Sequence, residues 1–166
     1  MKMTIRPIRD NEVTTIVDIL RRSFADVAQR FALTPENCGK SPAFCTEQRV
    51  IDERAKGVTF YVMEDAGHVC GCVAMERPKP EVVYLERLGI LPEHRSKGFG
   101  QALVNHIFAE AKAAGAARVE IAVISEDAPL KKWYERFGFV QTWTRKFDHL
   151  PFVVAFMAKE LGSTQS

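Results

Sequence analysis

The stretch Leu88-Gly89-Ile90-Leu91-Pro92-Glu93-His94-Arg95-Ser96-Lys97-Gly98-Phe99-Gly100 constrains this chain more than any other. Residues 82–90 are rich in branched side chains and read as a strand. Beyond the stretch, Leu103, Val104, Ile107, Phe108 and Ala111 keep helical spacing over residues 100–114, and Gly115 stops the helix. The order is therefore strand, glycine-bearing loop, helix. The first amides of a helix lack internal partners and sit at the positive end of its dipole. Glycines at 98 and 100 let the backbone curl around an oxygen-rich group, so that several amides converge on phosphate. Arg95 and Lys97 add positive charge at the rim. Such a loop suits a pyrophosphate.

Three readings compete for it. A P-loop needs Gly-Lys-Ser/Thr, but Gly98 and Gly100 are followed by Phe99 and Gln101. A dinucleotide fingerprint wants a small residue where Leu103 stands, and an early βαβ unit. A plain strand-to-helix turn with surface charges is the third. The pattern Arg95-x-x-Gly98-x-Gly100, after Leu88-Gly89-Ile90-x-Pro92-Glu93, decides among them. It resembles the acyl-CoA-binding signature of the GNAT superfamily of N-acyltransferases. A second piece, Asp127-Ala128-Pro129-Leu130-Lys131-Lys132-Trp133-Tyr134-Glu135-Arg136-Phe137-Gly138-Phe139, resembles the second signature of that family, a tyrosine followed four residues on by Gly-Phe. One helix and one strand separate the two, and Met157-Ala158-Lys159-Glu160-Leu161 resembles the family's last strand. The resemblance spans residues 4–161.

The rest of the chain reads compatibly. Residues 4–9 suggest an edge strand, since Pro7 removes a donor. Asp10 and Asn11 offer N-caps to a helix with Val13, Ile16, Val17, Leu20 and Phe24 on one side. Residues 33–42 have turn composition, and residues 47–56 form a short helix ended by Gly57. A hairpin follows over 59–64 and 69–75, with Pro78 and Pro80 breaking the chain after it. Residues 118–124 read as a buried strand, Pro129 opens a short helix closed by Gly138, and 140–147 with 152–159 make a last antiparallel pair. This predicts a single domain over residues 1–166, with a core at 4–161 and a frayed tail at 162–166. The fold class is α/β (α+β): a mixed, mostly antiparallel sheet of six or seven strands flanked by helices. The resemblance adds splayed central parallel strands.

Composition excludes several function classes. Lys and Arg number 23 against 21 Asp and Glu, a net charge of +2, so the dense basic surface of a nucleic-acid binder is not expected. No apolar run approaches the length of a membrane span, and the N-terminal residues do not read as a signal peptide. Cys38, Cys45, Cys70 and Cys72 follow no metal or redox pattern. They are expected to be free, mostly buried thiols of a cytoplasmic protein, with Cys70 and Cys72 on one strand face. His68, His94, His106 and His149 lack metal-ligand spacing, and no Cys-His-Asp order supports a covalent acyl intermediate, so no metal is expected.

What the resemblance implies is acetyl transfer from acetyl-CoA to an amine by direct attack. The backbone of Leu88, Gly89 and Ile90 would pair with the pantetheine arm and polarise the thioester carbonyl. Amides around Arg95, Ser96, Lys97, Gly98, Phe99 and Gly100, with Gln101, would hold the pyrophosphate. Lys131 or Lys132 could reach the 3′-phosphate. Asp127 stands where the family often has an asparagine on the CoA arm; as a carboxylate it accepts but does not donate. Tyr134 matches the acid that protonates the leaving thiolate. For the base, Tyr84 and Glu86 alternate onto the face of Leu88, and Glu86 could relay a proton through water; a salt bridge with Arg87 is its other reading. The acceptor is open among small amines, amino acids, antibiotics and protein N-termini, with a small molecule favoured because nothing suggests a peptide groove. A non-catalytic acyl-CoA-binding regulatory module is the rival from another class. The last hairpin could also pair between subunits as a homodimer.

Overall fold

The computed structural model describes residues 2–162; of the expected tail at 162–166, all but Gly162 lies outside the described residues. Seven strands form one sheet: β1 (Met3–Pro7), β2 (Thr59–Asp65), β3 (His68–Lys79), β4 (Val82–Ile90), β5 (Arg118–Ile124), β6 (Val140–Lys146) and β7 (Val153–Glu160). Their spatial order is β1-β2-β3-β4-β5-β7-β6. Only β4 and β5 run parallel; every other pair is antiparallel. β1, with Pro7, lies at one edge as its composition requires.

Four helices cover the sheet: α1 (Val13–Arg30), α2 (Glu47–Ala55), α3 (Phe99–Ala113) and α4 (Ala128–Glu135). α1 turns Val13, Ile16, Ile19 and Leu20 inward. With Val50 of α2 they meet Phe60, Val62, Cys72 and Ala74 on one face of the sheet. On the other face Phe99, Leu103, Val104 and Ile107 of α3, with Tyr134 of α4, meet Met63, Val73, Val83, Leu85, Val119 and Met157. The start of α1 differs from expectation. A short 3-10 turn, Asp10–Glu12, precedes it, and the Arg9 amide donates to Glu12 Oε1 at 2.7 Å, so Glu12 does the capping expected of Asp10 and Asn11. Among the described residues no helix is long and apolar enough to cross a membrane.

Register shifts break regular alternation at four places among the described strands, one of them in the β6–β7 pair between Gln141 and Trp143. β3 continues through Pro78 to Lys79 instead of ending at 75, because Arg77 and Pro78 sit in a register shift between Glu76 and Lys79, where proline's missing donor does no harm. Another shift, between Met63 and Glu64 of β2, loops out Cys70. Cys70 therefore packs on the α3 face and Cys72 on the α1 face, not on one face as strict alternation predicts. All four cysteines are buried free thiols, as expected. The remaining bulge, in β4, bears on the site.

Candidate active site

β4 and β5 pair over three residues only: Val82 with Arg118, Val83 with Val119, and Tyr84 with Glu120. Beyond them β4 follows β3 to Ile90, while β5 follows β7 to Ile124. The two strands part, leaving a wedge between the backbone of residues 85–90 and that of 121–124. Leu88, Gly89 and Ile90 lie on the diverging stretch. Leu88 and Ile90 pack toward α3. Gly89 faces α1, where an added Cβ would stand 2.9 Å from Ser23 Cβ and 3.3 Å from the Phe24 ring, so only glycine lets α1 lie this close.

The loop from β4 to α3 begins with a 3-10 turn, Pro92–His94. Ser96 (φ 65°) and Gly98 (φ 81°) then take left-handed conformations while Lys97 between them does not. Such alternation turns successive amides toward one point. The first helical amide to find a carbonyl is that of Ala102, on Gly98 O at 3.2 Å, which leaves the preceding amides at the positive end of α3. Phe99 is buried and anchors the helix start. Lys97 and Gln101 are exposed.

Two loop residues also serve the fold. The Arg95 guanidinium has partners the sequence did not suggest: it donates to Ser23 O at 2.8 Å and Ile90 O at 3.3 Å, and pairs with Asp26 at 3.2 Å, binding the loop to α1. Gly100 has no left-handed backbone; its missing side chain makes room for Trp133 of α4, whose ring would lie 3.1 Å from an added Cβ.

Asp127 is buried, caps α4 by accepting from the Leu130 amide at 3.3 Å, and pairs with Arg30 at 3.0 Å. Its charge, which would oppose a phosphate, is thus already countered. Aspartate serves here as well as asparagine because a cap needs only an acceptor. Replacing Asp127 with Ala is expected to cost about 1–2 kcal/mol of stability in urea unfolding, by loss of the cap and its ion partner, while Asn recovers most of it. Lys131 is drawn to Ser125 O at 3.3 Å, and Lys132 is exposed.

Tyr134 is buried among aromatic rings, edge-on to Trp133 at 5.0 Å and to Phe139 at 5.4 Å. Its hydroxyl makes no hydrogen bond among the described residues, and burial holds its ionisation well above the ordinary phenol range. Glu86 pairs in register with Ala74 and so faces the α1–α2 side. Burial pushes its carboxyl up to about 7, with Glu76 and Glu53 adding to the rise and Arg87 and Arg49 opposing it. Tyr84 lies beside Glu120 and Glu76 in register; burial first, then its acidic neighbours, raise its ionisation too.

Glu86 and Leu88 do not share a face. Arg87 has φ 52°, and the register shift between Cys72 and Ala74 sets both Arg87 and Leu88 against Val73. The bulge reverses the alternation, sending Leu88 toward α3. Nor does Glu86 pair with Arg87, whose guanidinium grips both oxygens of Glu53 on α2, one contact measuring 2.7 Å. Arg49 adds a bond to the same carboxylate at 3.1 Å. Arg49 and Arg30 carried no local pattern in the sequence that marks them, and Glu53 stood out only as one of three acids, with Glu47 and Asp52, on a short helix. Among the described residues no three His, Cys, Asp or Glu side chains gather as a metal set.

The family model described as acetyltransferase (GNAT) family matches residues 16–139. Solved structures share the fold. The ribosomal-protein-S18-alanine N-acetyltransferase of Escherichia coli superposes with TM-score 0.78 at 16% identity, over 99% of this chain and 97% of that one. The yncA putative acetyltransferase of Salmonella typhimurium, solved with acetyl-CoA, gives 0.72 at 18% identity, over 100% and 98%. The PaiA N-acetyltransferase of Thermoplasma acidophilum, in complex with coenzyme A, gives 0.75 at 16% identity, over 96% and 99%. No curated protein matches the sequence.

Proposed function

The chain belongs to the acetyltransferase (GNAT) family of acyl-CoA-dependent enzymes, and from that premise we propose that it moves the acetyl group of acetyl-CoA onto the primary amine of a small molecule by direct attack. The observation that carries the reading is the parting of β4 from β5 beside a loop whose backbone turns inward at Ser96 and Gly98. A wedge with free backbone on both walls accepts an amide-bearing arm as a strand would be accepted, and the loop at its mouth offers amides to a pyrophosphate. These features fit acetyl-CoA. The backbone of Leu88 to Ile90 holds the arm and polarises the thioester carbonyl; the amides of Ser96 to Gln101 hold the pyrophosphate, and Asp127 orders the start of α4 beside it.

The remaining steps move protons. An amine attacks only when neutral, so a base must take the ammonium proton. Glu86, with a carboxyl that titrates near neutrality, is matched to that task through water. The thiolate that leaves needs a proton in return, and Tyr134 supplies it. Its raised ionisation makes it a weaker acid than free phenol, but the same dry surroundings raise the basicity of the thiolate. A small acceptor is supported by the segment between α1 and α2. Leu33 and Cys38, with Ala28, form a cluster that Ile124 at the end of β5 and Leu150 and Phe152 ahead of β7 pack against, so this segment closes over that end of the sheet and leaves less room for a peptide.

Thermal unfolding tests the cofactor. Acetyl-CoA or CoA at about 100 times Kd is expected to raise Tm by roughly 5–10 °C, and ATP or NAD to leave it in place. A shift with a nucleotide alone would remove the reading. Thiol release across a panel of small amines and a protein-derived peptide then separates acceptor classes, and tight binding without turnover on any amine would favour a regulatory module.

A further inference from the structure

Glu86 stands opposite Ala74 on the α1–α2 side, within the influence of Arg87 and Arg49, and pairs with neither, both being engaged by Glu53. Arg87 is its neighbour in sequence, and in a regular strand would project to the opposite face. The left-handed backbone at Arg87 cancels that alternation and brings the guanidinium to the α2 side, where it lies 5.9 Å over the Phe60 ring. Non-glycine residues hold this conformation at a cost that the surrounding structure must supply. What holds Arg87 is Glu53, with both carboxylate oxygens engaged, and the same Glu53 takes Nε of Arg49 at 3.1 Å.

We propose that Glu53 is a positioning residue for Glu86: by drawing Arg49 and Arg87 into one ion-pair network, it keeps the Glu86 carboxylate unpaired and available as a proton acceptor. The inference rests on the reading of Glu86 as the base. One carboxylate matched to two guanidiniums is under-supplied, so the third acid of the group, Glu86, would be captured if Glu53 let go. Arg49 shows the shortfall directly, because its Nη1 is buried without a partner. The neighbouring groups are otherwise acidic or already engaged, and Arg21 of α1 donates to Cys45 O at 2.7 Å. β3 presents Glu76, β4 presents Tyr84, and the Glu120 of β5 that pairs with Tyr84 is held by Arg118 at 2.6 Å. The inward residues of α1 are apolar apart from Ser23.

Carbon-13 titration of glutamate-labelled protein tests this without an acceptor, the Glu86 signal being identified by its loss in Glu86→Gln. In Glu53→Gln the freed arginines turn to Glu86, and its titration midpoint is expected to fall by about one pH unit or more. In Arg87→Gln, Glu86 loses a cation and the midpoint is expected to rise. Opposite signs are the signature, since a loosened site would move both variants toward the ordinary carboxylate value. Movement of the same sign in both, or an unmoved midpoint in Glu53→Gln, overturns the proposal. If Glu53→Gln does not fold, a fall in Arg87→Gln alone overturns it. The base reading fails separately, through a Glu86→Gln enzyme whose kcat/KM keeps the wild-type pH dependence.

Discussion

Replacing Tyr134 with Phe is expected to lower kcat about a hundredfold or more while fold and cofactor affinity stay in place. The hydroxyl has no hydrogen bond among the described residues to lose, and the ring keeps its contacts with Trp133 and Phe139. The change conserves nearly all of the buried volume, so the stability cost should stay below about 1.5 kcal/mol. A large loss of turnover beside an unchanged acetyl-CoA-induced Tm shift isolates the proton donated to the thiolate. Because burial keeps this phenol protonated well past its ordinary range, Tyr134 should impose no alkaline fall in rate below about pH 10. An unchanged kcat across pH would take Tyr134 out of the mechanism.

The second large effect concerns Glu86. In the wild type, kcat/KM should rise with pH to a plateau, with a midpoint near the value of about 7 to which burial lifts this carboxyl. Glu86→Gln should lose that limb and about a hundredfold of the plateau rate. Stability should move the other way. A carboxyl that holds its proton more tightly folded than unfolded favours the folded state fully below the unfolded value, near 4.5, and loses that contribution as pH rises through about 7. The wild type and Glu86→Gln should therefore unfold alike at pH 4. At pH 8 the variant should be more stable by roughly 2 kcal/mol, allowing for partial exposure of the carboxyl. Urea unfolding at the two pH values, set beside the rate profile, reads both consequences of one substitution.

Features fixed by local chemistry were legible in the sequence. The strand of residues 82–90, the glycine turn at 98 and the helix after it follow from side-chain period and backbone freedom, and they lie where expected. Pro129 carried a helix-start signal and lies in the first turn of α4, whereas Asp127, read only as a residue on the CoA arm, proves to cap that helix. What was not legible depends on partners far away in the chain. Arg95 reads as a loop cation beside phosphate, and only the arrival of Ser23 and Asp26 turns it to α1. The faces of Cys72 and Leu88 were misread by counting residues in twos. Each bulge lies in the pairing of two strands, and at Arg87 no glycine marks the left-handed turn. The ion-pair network that isolates Glu86 was hidden for the same reason, since Glu53 and Arg87 meet only through folding.

The parting of β4 and β5 gives this seven-stranded sheet four edges instead of two. β1 and β6 end it on the outside, and two further edges face each other across the middle. An exposed edge normally invites another chain to add itself as a strand, with aggregation as the result. Here the inner pair is set in a wedge that narrows to the Tyr84–Glu120 rung and is walled by helices on both faces. A slender, flexible arm can enter where a strand with side chains on both sides cannot. The same geometry thus bears on which arm can enter the wedge and on whether a foreign strand can add there. The amides of residues 85–90 that face the wedge should exchange with solvent like those of an outer strand, and slow when the wedge is filled.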